Sequence, residues 1–513
     1  MGYIATSSIR KKLLLYQLLK NLKIKEIRGD TDRIVSSIAY NSKYVMHNGA
    51  FVAIMGNNHD GHTFIPEALS GGAKVIVAQK DVRISGDFTL ILVDNSHLAL
   101  AKLACAFYEF PADKLRLVGI TGTNGKTTTA YLLESIFKEA NLLPGIIGTI
   151  NYRYKNYFKE ASLTTPESLE LQKILFEMNK ENVDPVILEV SSHALNQGRI
   201  EGCRFNIGIF TNLTPEHLDY HNNMDNYFDS KSLLFTNYLQ GWAILNHDDN
   251  YGNLLRNKVN GKTLTFGLMS TCDIKAENIS FLPGGIKASI HTPVGTIPIT
   301  SSLIGKHNLY NIMASVGAAF VSGITPKNIK KGIENLKKVP GRLERFKNAK
   351  NLNIFIDYAH TGNALKNVLD SLKALNPRRI ITIFGCGGNR DKTKRPVMGE
   401  ISGKYSDITL ITSDNPRKEN PGDIIKEIEA GILPLKLKKF EWKEGLNLEE
   451  KGYLTEVSRS RAIKMGISLA KPGDFVLIAG KGHECYQIMG EEKIPYNDRY
   501  EIKKALRVKE LGV

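Results

Sequence analysis

The chain has 513 residues, 42% hydrophobic and 23% charged, with a net charge of +16 from 68 basic and 52 acidic residues. That length is too great for one core and predicts two to four domains in a soluble globular protein. Its Lys and Arg residues are spread without an aromatic-interleaved block, which argues against a nucleic-acid partner. No membrane span is expected, since no run approaches about 18 uninterrupted apolar residues, and five scattered cysteines without a CxxC pair suggest reduced thiols in the cytoplasm.

In chain order, IRKKLLLYQLLKNLKIKE (Ile9 to Glu26) carries lysines through an apolar stretch and predicts an amphipathic helix. The segments GAFVAIMG and GGAKVIVAQ follow as short strands, with GNNHDGH between them, completing a first block over residues 1–112. A second block, residues 113–338, opens on the strand KLRLVGI and continues through DPVILEV, FNIGIFTNL and GWAILN, with helical stretches between. A third, residues 339–513, begins near the turn KKVPGR and repeats the rhythm in LNIFIDYA, RRIITIFG, SDITLITS and GDFVLIAG. Strands alternating with helices predict an α/β chain of three domains with mainly parallel, doubly wound sheets. The expected order is a small N-terminal α/β domain, a central P-loop ATPase-type sheet and a C-terminal Rossmann-like domain. In such sheets ligands sit beyond the carboxyl ends of the strands. In the third block those loops read GCGGNRDKTKRP, DNPRKENP and GKGHE.

The phosphate loop is the strongest local signal. LVGITGTNGKTTTAYLLESIF runs strand, Gly-rich turn, Lys126 and Thr127, then helix. Glycines at 119, 122 and 125 let backbone N–H groups face phosphate oxygens, Lys126 can reach the β- and γ-phosphates, and Thr127 can hold Mg2+. Glu189, ending the apolar run PVILE, is a strand-end carboxylate suited to the same ion.

GITGTNGKTTT resembles the ATP loop of the Mur ligase family, the ATP-dependent amide-forming enzymes that build the peptidoglycan stem peptide. LEVSSHALNQGRI, FTNLTPEHLDYH, YFDSKSLLF, GKHNLYN, PGRLERF, DYAHT, FGCGGNRDKTKRP, DNPR and GKGHE then resemble the family's motifs in order over nearly the entire chain. The likeness implies ATP contacts at Gly122, Thr123, Asn124, Gly125, Lys126, Thr127, Thr128, Asn308, Arg342, Asp357 and His360. It implies a second Mg2+ at His217 and, at Lys231, a carbamate formed with CO2 (an N6-carboxylysine). Such a carbamate replaces +1 by −1 beside a cation.

The nucleotide-sugar dipeptide UDP-MurNAc-L-Ala-D-Glu is assigned by the same resemblance to Ser42, Asn57, Asn58, His59, Thr164, Thr165, Ser191, Gln197 and Arg199. The chain has NSK at 41–43 where the family usually has Asp-Ser-Arg, and Gly362-Asn363 after DYAHT where it usually has Pro-Asp. Arg390, Asp414, Asn415, Pro416, Arg417, Gly480 and Glu484 are implied as the site for meso-diaminopimelate. A guanidinium clamps the distal carboxylate, an acid and an amide suit the ammonium, and Pro416 stiffens the turn. Members that add L-lysine generally lack the Arg of DNPR, so Arg417 favours diaminopimelate. A lysine-adding ligase, a folylpolyglutamate synthetase-like enzyme and a nonenzymatic nucleotide-binding protein are the alternatives, and a cytoplasmic monomer is the expected form.

Overall fold

The computed structural model describes residues 13–56, 59–259, 261–443 and 445–510. Its strands form three large sheets of five, eleven and seven strands, one after another along the chain. In each, successive strand residues feed different cores. Val118 and Ile120 pack on one face of the eleven-stranded sheet and Leu117 on the other; Ile354 and Ile356 are divided from Phe355 in the same way. Burial on both faces is why these strands read as unbroken Val, Ile and Leu runs.

The first sheet is ordered Ile24–Arg28, Thr89–Val93, Ala73–Ala78, Gly49–Val52 and Ile38–Ala39, all parallel except the first pair. Here the expected N-terminal helix is corrected. Only Leu15–Leu19 is helical, Ile24–Arg28 is an edge strand, and residues 9–12 lie outside the described residues. A sheet edge tolerates lysine and glutamate on its open side, so KIKEIR pairs with Thr89–Val93 instead of continuing the helix.

The eleven-stranded sheet has a parallel centre with antiparallel margins. Gly145–Ile147, Val186–Glu189, Leu117–Thr121, Phe205–Phe210, Leu239–Asn246 and Lys262–Gly267 run parallel as neighbours. One edge carries the hairpin Asn151–Tyr154 and Tyr157–Glu160; the other carries Ile274–Leu282, Gly285–Thr292 and Gly295–Ser301 in an antiparallel meander. These margins depart from the expectation of doubly wound strands throughout. Short turns such as Pro283-Gly284 and Pro293-Val294 leave no room for a crossover helix, so adjacent strands must reverse.

In the third sheet Asn353–Asp357, Phe475–Ala479, Ile380–Phe384 and Ile408–Thr412 lie side by side and parallel. Gly452–Glu456 adds a parallel strand that the sequence signals did not mark. Below this sheet the Arg459 guanidinium is fully buried against Asp498, with Nε 2.8 Å and Nη2 2.7 Å from the two carboxylate oxygens, and Nη2 also donates to the Ala479 carbonyl. Replacing Arg459 by Met is expected to cost about 3–5 kcal/mol of stability because Asp498 is left buried and unpaired. A denaturant midpoint unchanged in that variant would show the pair to be idle.

Candidate functional site

The strands Val186–Glu189, Leu117–Thr121 and Phe205–Phe210 are neighbours and end together, so their following segments converge. Helix Lys126–Glu139 starts directly after the glycine turn. Gly122 has φ +142° and a Cβ there would meet Thr211 Oγ1 at 1.9 Å; Gly125 has φ +91° and would meet Asn311 Oδ1 at 2.3 Å. Only glycine allows this close cradle. The loop is pinned from the next strand end. Asn124 N–H donates to Asn212 Oδ1 (3.0 Å), Thr211 Oγ1 donates to the Asn124 carbonyl (2.6 Å), and Thr123 Oγ1 accepts from Thr214 N–H (3.0 Å).

Two of the predicted ion ligands, Thr127 and Glu189, lie in contact. Glu189 is 1% exposed; its Oε2 accepts from Thr127 Oγ1 (2.9 Å) and Thr149 Oγ1 (2.8 Å), and its Oε1 from Thr149 N–H (3.1 Å). An oxygen-only set at a helix N-terminus suits a hard divalent cation. Among the described residues no cluster of three or more His, Cys, Asp or Glu surrounds a point. Thr127 and Glu189 fit Mg2+, which takes one or two carboxylates and completes its shell from phosphate and water.

Lys231 is 2% exposed and donates to the Gly122 carbonyl at 2.9 Å, while Lys126 donates to the same carbonyl at 2.8 Å and to that of Thr123 at 3.0 Å. Burial, then the Lys126 charge, pushes the Lys231 ammonium well below the usual lysine range. Glu216, which the sequence reading passed over inside TPEH, faces this pair. Burial pushes its carboxyl up, but His217, His360, Lys126 and Lys231 outweigh that and hold it below the usual range. His217 is open to solvent, has φ +57°, and packs edge-on against His193.

Third-block residues reach into this region. Arg342 Nη2 donates to Thr127 Oγ1 (3.3 Å), and its guanidinium stacks 5.0 Å from the Tyr358 ring centre. His360 faces Glu216 electrostatically. Asp357 is buried, and its oxygens accept from Leu343 N–H (2.6 Å) and Ala359 N–H (2.7 Å), so it holds the loop that carries Arg342 and His360. Asn308 likewise bonds within its own segment, to the Ile304 carbonyl and to Asn311, and it is Asn311 that abuts Gly125. Thr128 is buried in the first helical turn.

Among the predicted acceptor residues, Thr165 Oγ1 donates to the Glu189 carbonyl (2.8 Å) and accepts from Ser191 N–H (3.0 Å). Thr164 Oγ1 meets Thr149 Oγ1 at 3.1 Å. Arg199 donates to the Thr165 carbonyl and pairs with Glu167 at 2.9 Å. Gln197 Nε2 donates to Tyr220 while its buried Oε1 has no hydrogen-bond partner among the described residues. This group therefore borders Glu189. Ser42, in the first block, donates to Glu67 Oε2 (2.8 Å), and His59 is exposed. Asn57 and Asn58 lie outside the described residues.

The last constellation lies at the ends of the third sheet. Asp414 and Asn415 are buried beyond Ile408–Thr412, beside Gly480 and Glu484 beyond Phe475–Ala479. A Cβ on Gly480, whose φ is +108°, would sit 3.4 Å from Asp414 Oδ2. Asn415 Nδ2 donates to Glu484 Oε2 at 3.0 Å. Pro416 is buried and Arg417 adopts φ +52°, an uncommon conformation for Arg, fixed by Arg417 N–H donating to Ile488 O and Gly490 N–H donating to Arg417 O. Its Nη1 donates to the Gly388 carbonyl (2.8 Å), and burial, then the neighbouring Arg390 charge, lowers the guanidinium pKa. Lys481, inside GKGHE but not singled out from sequence, bridges the acids. Tyr358 links the two ends, stacked under Arg342 and 5.1 Å from the His483 ring.

Family models match this chain in three consecutive stretches: the Mur ligase family catalytic domain over residues 34–108, the Mur ligase middle domain over 120–319, and the Mur ligase glutamate ligase domain over 341–482. The chain belongs to the Mur ligase family. This Mur ligase is 44% identical over 494 residues to the UDP-N-acetylmuramoyl-L-alanyl-D-glutamate–2,6-diaminopimelate ligase of Geobacter sulfurreducens, covering 95% of this chain and 97% of that one. It is 38% identical over 487 residues to the protein of the same name from Geobacillus thermodenitrificans, covering 94% and 96%. A solved structure of a ligase of that name superposes with TM-score 0.68 at 26% identity, over 98% of this chain and all of that one. The ligase also shares its fold with the MurF ligase of Thermotoga maritima, solved with ADP, at 20% identity and TM-score 0.62 over 93% and 98% of the two chains.

Proposed function

We propose that the protein joins meso-diaminopimelate to the D-glutamate γ-carboxylate of UDP-MurNAc-L-Ala-D-Glu, using ATP, in peptidoglycan precursor synthesis. The observation that carries this reading is the continuous path from Thr127 through Arg342 and Tyr358 to the loop holding Lys481 and Glu484, beside Asp414, Asn415 and Arg417. It joins a phosphate cradle to a paired acid-and-guanidinium end suited to a zwitterion, as a two-substrate ligase requires.

In the first step a γ-carboxylate oxygen attacks the terminal phosphorus of ATP, an O–P bond forms, and ADP leaves with the bridging oxygen. The amine of diaminopimelate then attacks the acyl carbon, loses a proton, and phosphate departs as the amide forms. Lys126, Arg342 and the loop N–H groups stabilise charge on the transferring phosphoryl group. Thr164, Thr165, Ser191, Gln197 and Arg199 would hold the acceptor peptide beside Glu189, and Ser42 and His59 would hold its uridine end. Mg2+ held by Thr127 and Glu189, and a second ion by His217 and a carbamylated Lys231, would neutralise phosphate charge there. The enzyme works in the cytoplasm as a monomer.

Phosphate release with ATP, Mg2+ and the UDP-MurNAc-dipeptide should depend on diaminopimelate and be much slower with L-lysine; equal use of lysine would overturn the specificity. Arg417→Ala should raise the KM for diaminopimelate about 10- to 100-fold through loss of one charge-assisted contact, leaving the KM for ATP within about twofold. Parallel rises in both constants would instead place Arg417 in folding or closure.

A further inference from the structure

The ammonium of Lys481 is wholly buried, 3.1 Å from Asp414 Oδ1, 2.9 Å from Asn415 Oδ1 and 3.2 Å from Glu484 Oε2. Glu484 Oε2 also accepts from Asn415 Nδ2, and Asn415 Oδ1 from Ile488 N–H, so one cation ties two strand-end loops together. The rings of Tyr486 and Tyr496 close the far side at 5.8 and 6.0 Å. Two largely buried carboxylates that share one partner repel each other unless a cation stands between them.

We infer that Lys481 is a positioning residue of the acceptor end. Its ammonium, held between Asp414 and Glu484, offsets one of their two charges and leaves that end with one net negative charge, matched to a single ammonium of the incoming amino acid. This rests on the assignment of that end to diaminopimelate. Every charged or titratable neighbour fits the balance. Glu484 faces Lys481, Asp414, Tyr358, Tyr486 and Arg417, and Asp414 additionally faces Arg459 and the Cys386 thiol. Burial pushes the Glu484 carboxyl up; Lys481 opposes, Asp414 adds to the rise, and Asn415 opposes again. Arg417, with Arg390 beside it, is left for a carboxylate.

The sign of the pH effect follows. Without the Lys481 charge the Glu484 carboxyl rises further, stays protonated over a wider pH range, and attracts an ammonium less. Raising the pH restores its charge. The test uses the full-length enzyme with the UDP-MurNAc-dipeptide, ATP and Mg2+, and follows the ratio of variant to wild-type KM for diaminopimelate, which cancels the substrate amine's own ionisation. For Lys481→Met the ratio should be about 10 or more near pH 7 and fall severalfold by about pH 9, as the carboxyl ionises. The KM for ATP should stay within about twofold. Lys481→Gln keeps donors to the same oxygens without the charge and should show the same pH dependence, which separates charge from geometry and serves if the Met variant folds poorly. Adding Glu484→Gln to Lys481→Met should flatten the ratio by removing the titrating group.

A pH-independent ratio in both single variants, an equal rise in the KM for ATP, or collapse of both variants to insoluble protein would overturn the inference and make Lys481 a purely structural tie. If instead the wild-type enzyme releases phosphate without regard to diaminopimelate, it is the functional assignment that fails.

Discussion

Replacing Lys126 by methionine is expected to lower kcat/KM for ATP by about 10²- to 10³-fold, the scale for removing one preorganised charge-stabilising group. The side chain lies at the N-terminus of the Lys126–Glu139 helix, its ammonium curled onto the Gly122 and Thr123 carbonyls. Burial lowers its pKa, and the Glu216 and Glu189 carboxylates oppose that. Those carbonyls are weak substitutes for a triphosphate, so the ammonium is free to swing to the nucleotide when one binds. Methionine preserves the aliphatic length and should leave the thermal midpoint nearly unchanged, since Lys126 makes no ion pair among the described residues. Phosphate-release rates over a range of ATP concentrations measure this. A loss below about tenfold would mean that Lys126 is not what meets the transferring phosphoryl group.

Lys231→Arg should be comparably damaging, about 10²-fold or more, and for a reason that arginine makes visible. Position 231 is buried beside Lys126 and over the Tyr227 ring. A lysine whose pKa is pushed down there supplies a neutral amine, which can add to CO2 to give the proposed carbamate while releasing a proton to water. Arginine stays protonated and cannot. Wild-type activity should therefore fall in CO2-depleted buffer and return with bicarbonate. The return should grow as pH rises through the lysine's depressed pKa, because only the unprotonated amine reacts. The Arg variant should ignore bicarbonate at every pH. Full activity in the Arg variant, or indifference of the wild type to CO2, would remove the carbamate from the account.

Much of the candidate site was legible because it lies where a strand-to-loop boundary is written in local chemistry. Gly122 and Gly125 announce the loop because no other residue fits against Thr211 and Asn311. Glu189 and Asp414 declare themselves as acids ending apolar runs. What escaped notice did so for equally physical reasons. Thr149 follows a strand with no motif around it, yet its hydroxyl and N–H both hold Glu189. Glu216 reads as a loop acid until His217, His360, Lys126 and Lys231 are seen around it. Lys481 looks like any solvated lysine until its burial among acids is known. The N-terminal lysine-rich run failed in the opposite direction, since helical periodicity is local while pairing with Thr89–Val93 is not.

By itself the amino-acid order determined the alternation of strands and helices, the phosphate loop, the family, and which residue types could meet ATP and an amino acid. Hydrophobic period, glycine placement and motif spacing are all properties of neighbouring positions. Tertiary structure alone decided that Arg342 crosses to Thr127, that the central sheet ends in antiparallel margins, and that one buried ammonium sits between two carboxylates. Each of these joins positions distant along the chain or sets how far water is excluded, and charge balance depends on that exclusion more than on sequence.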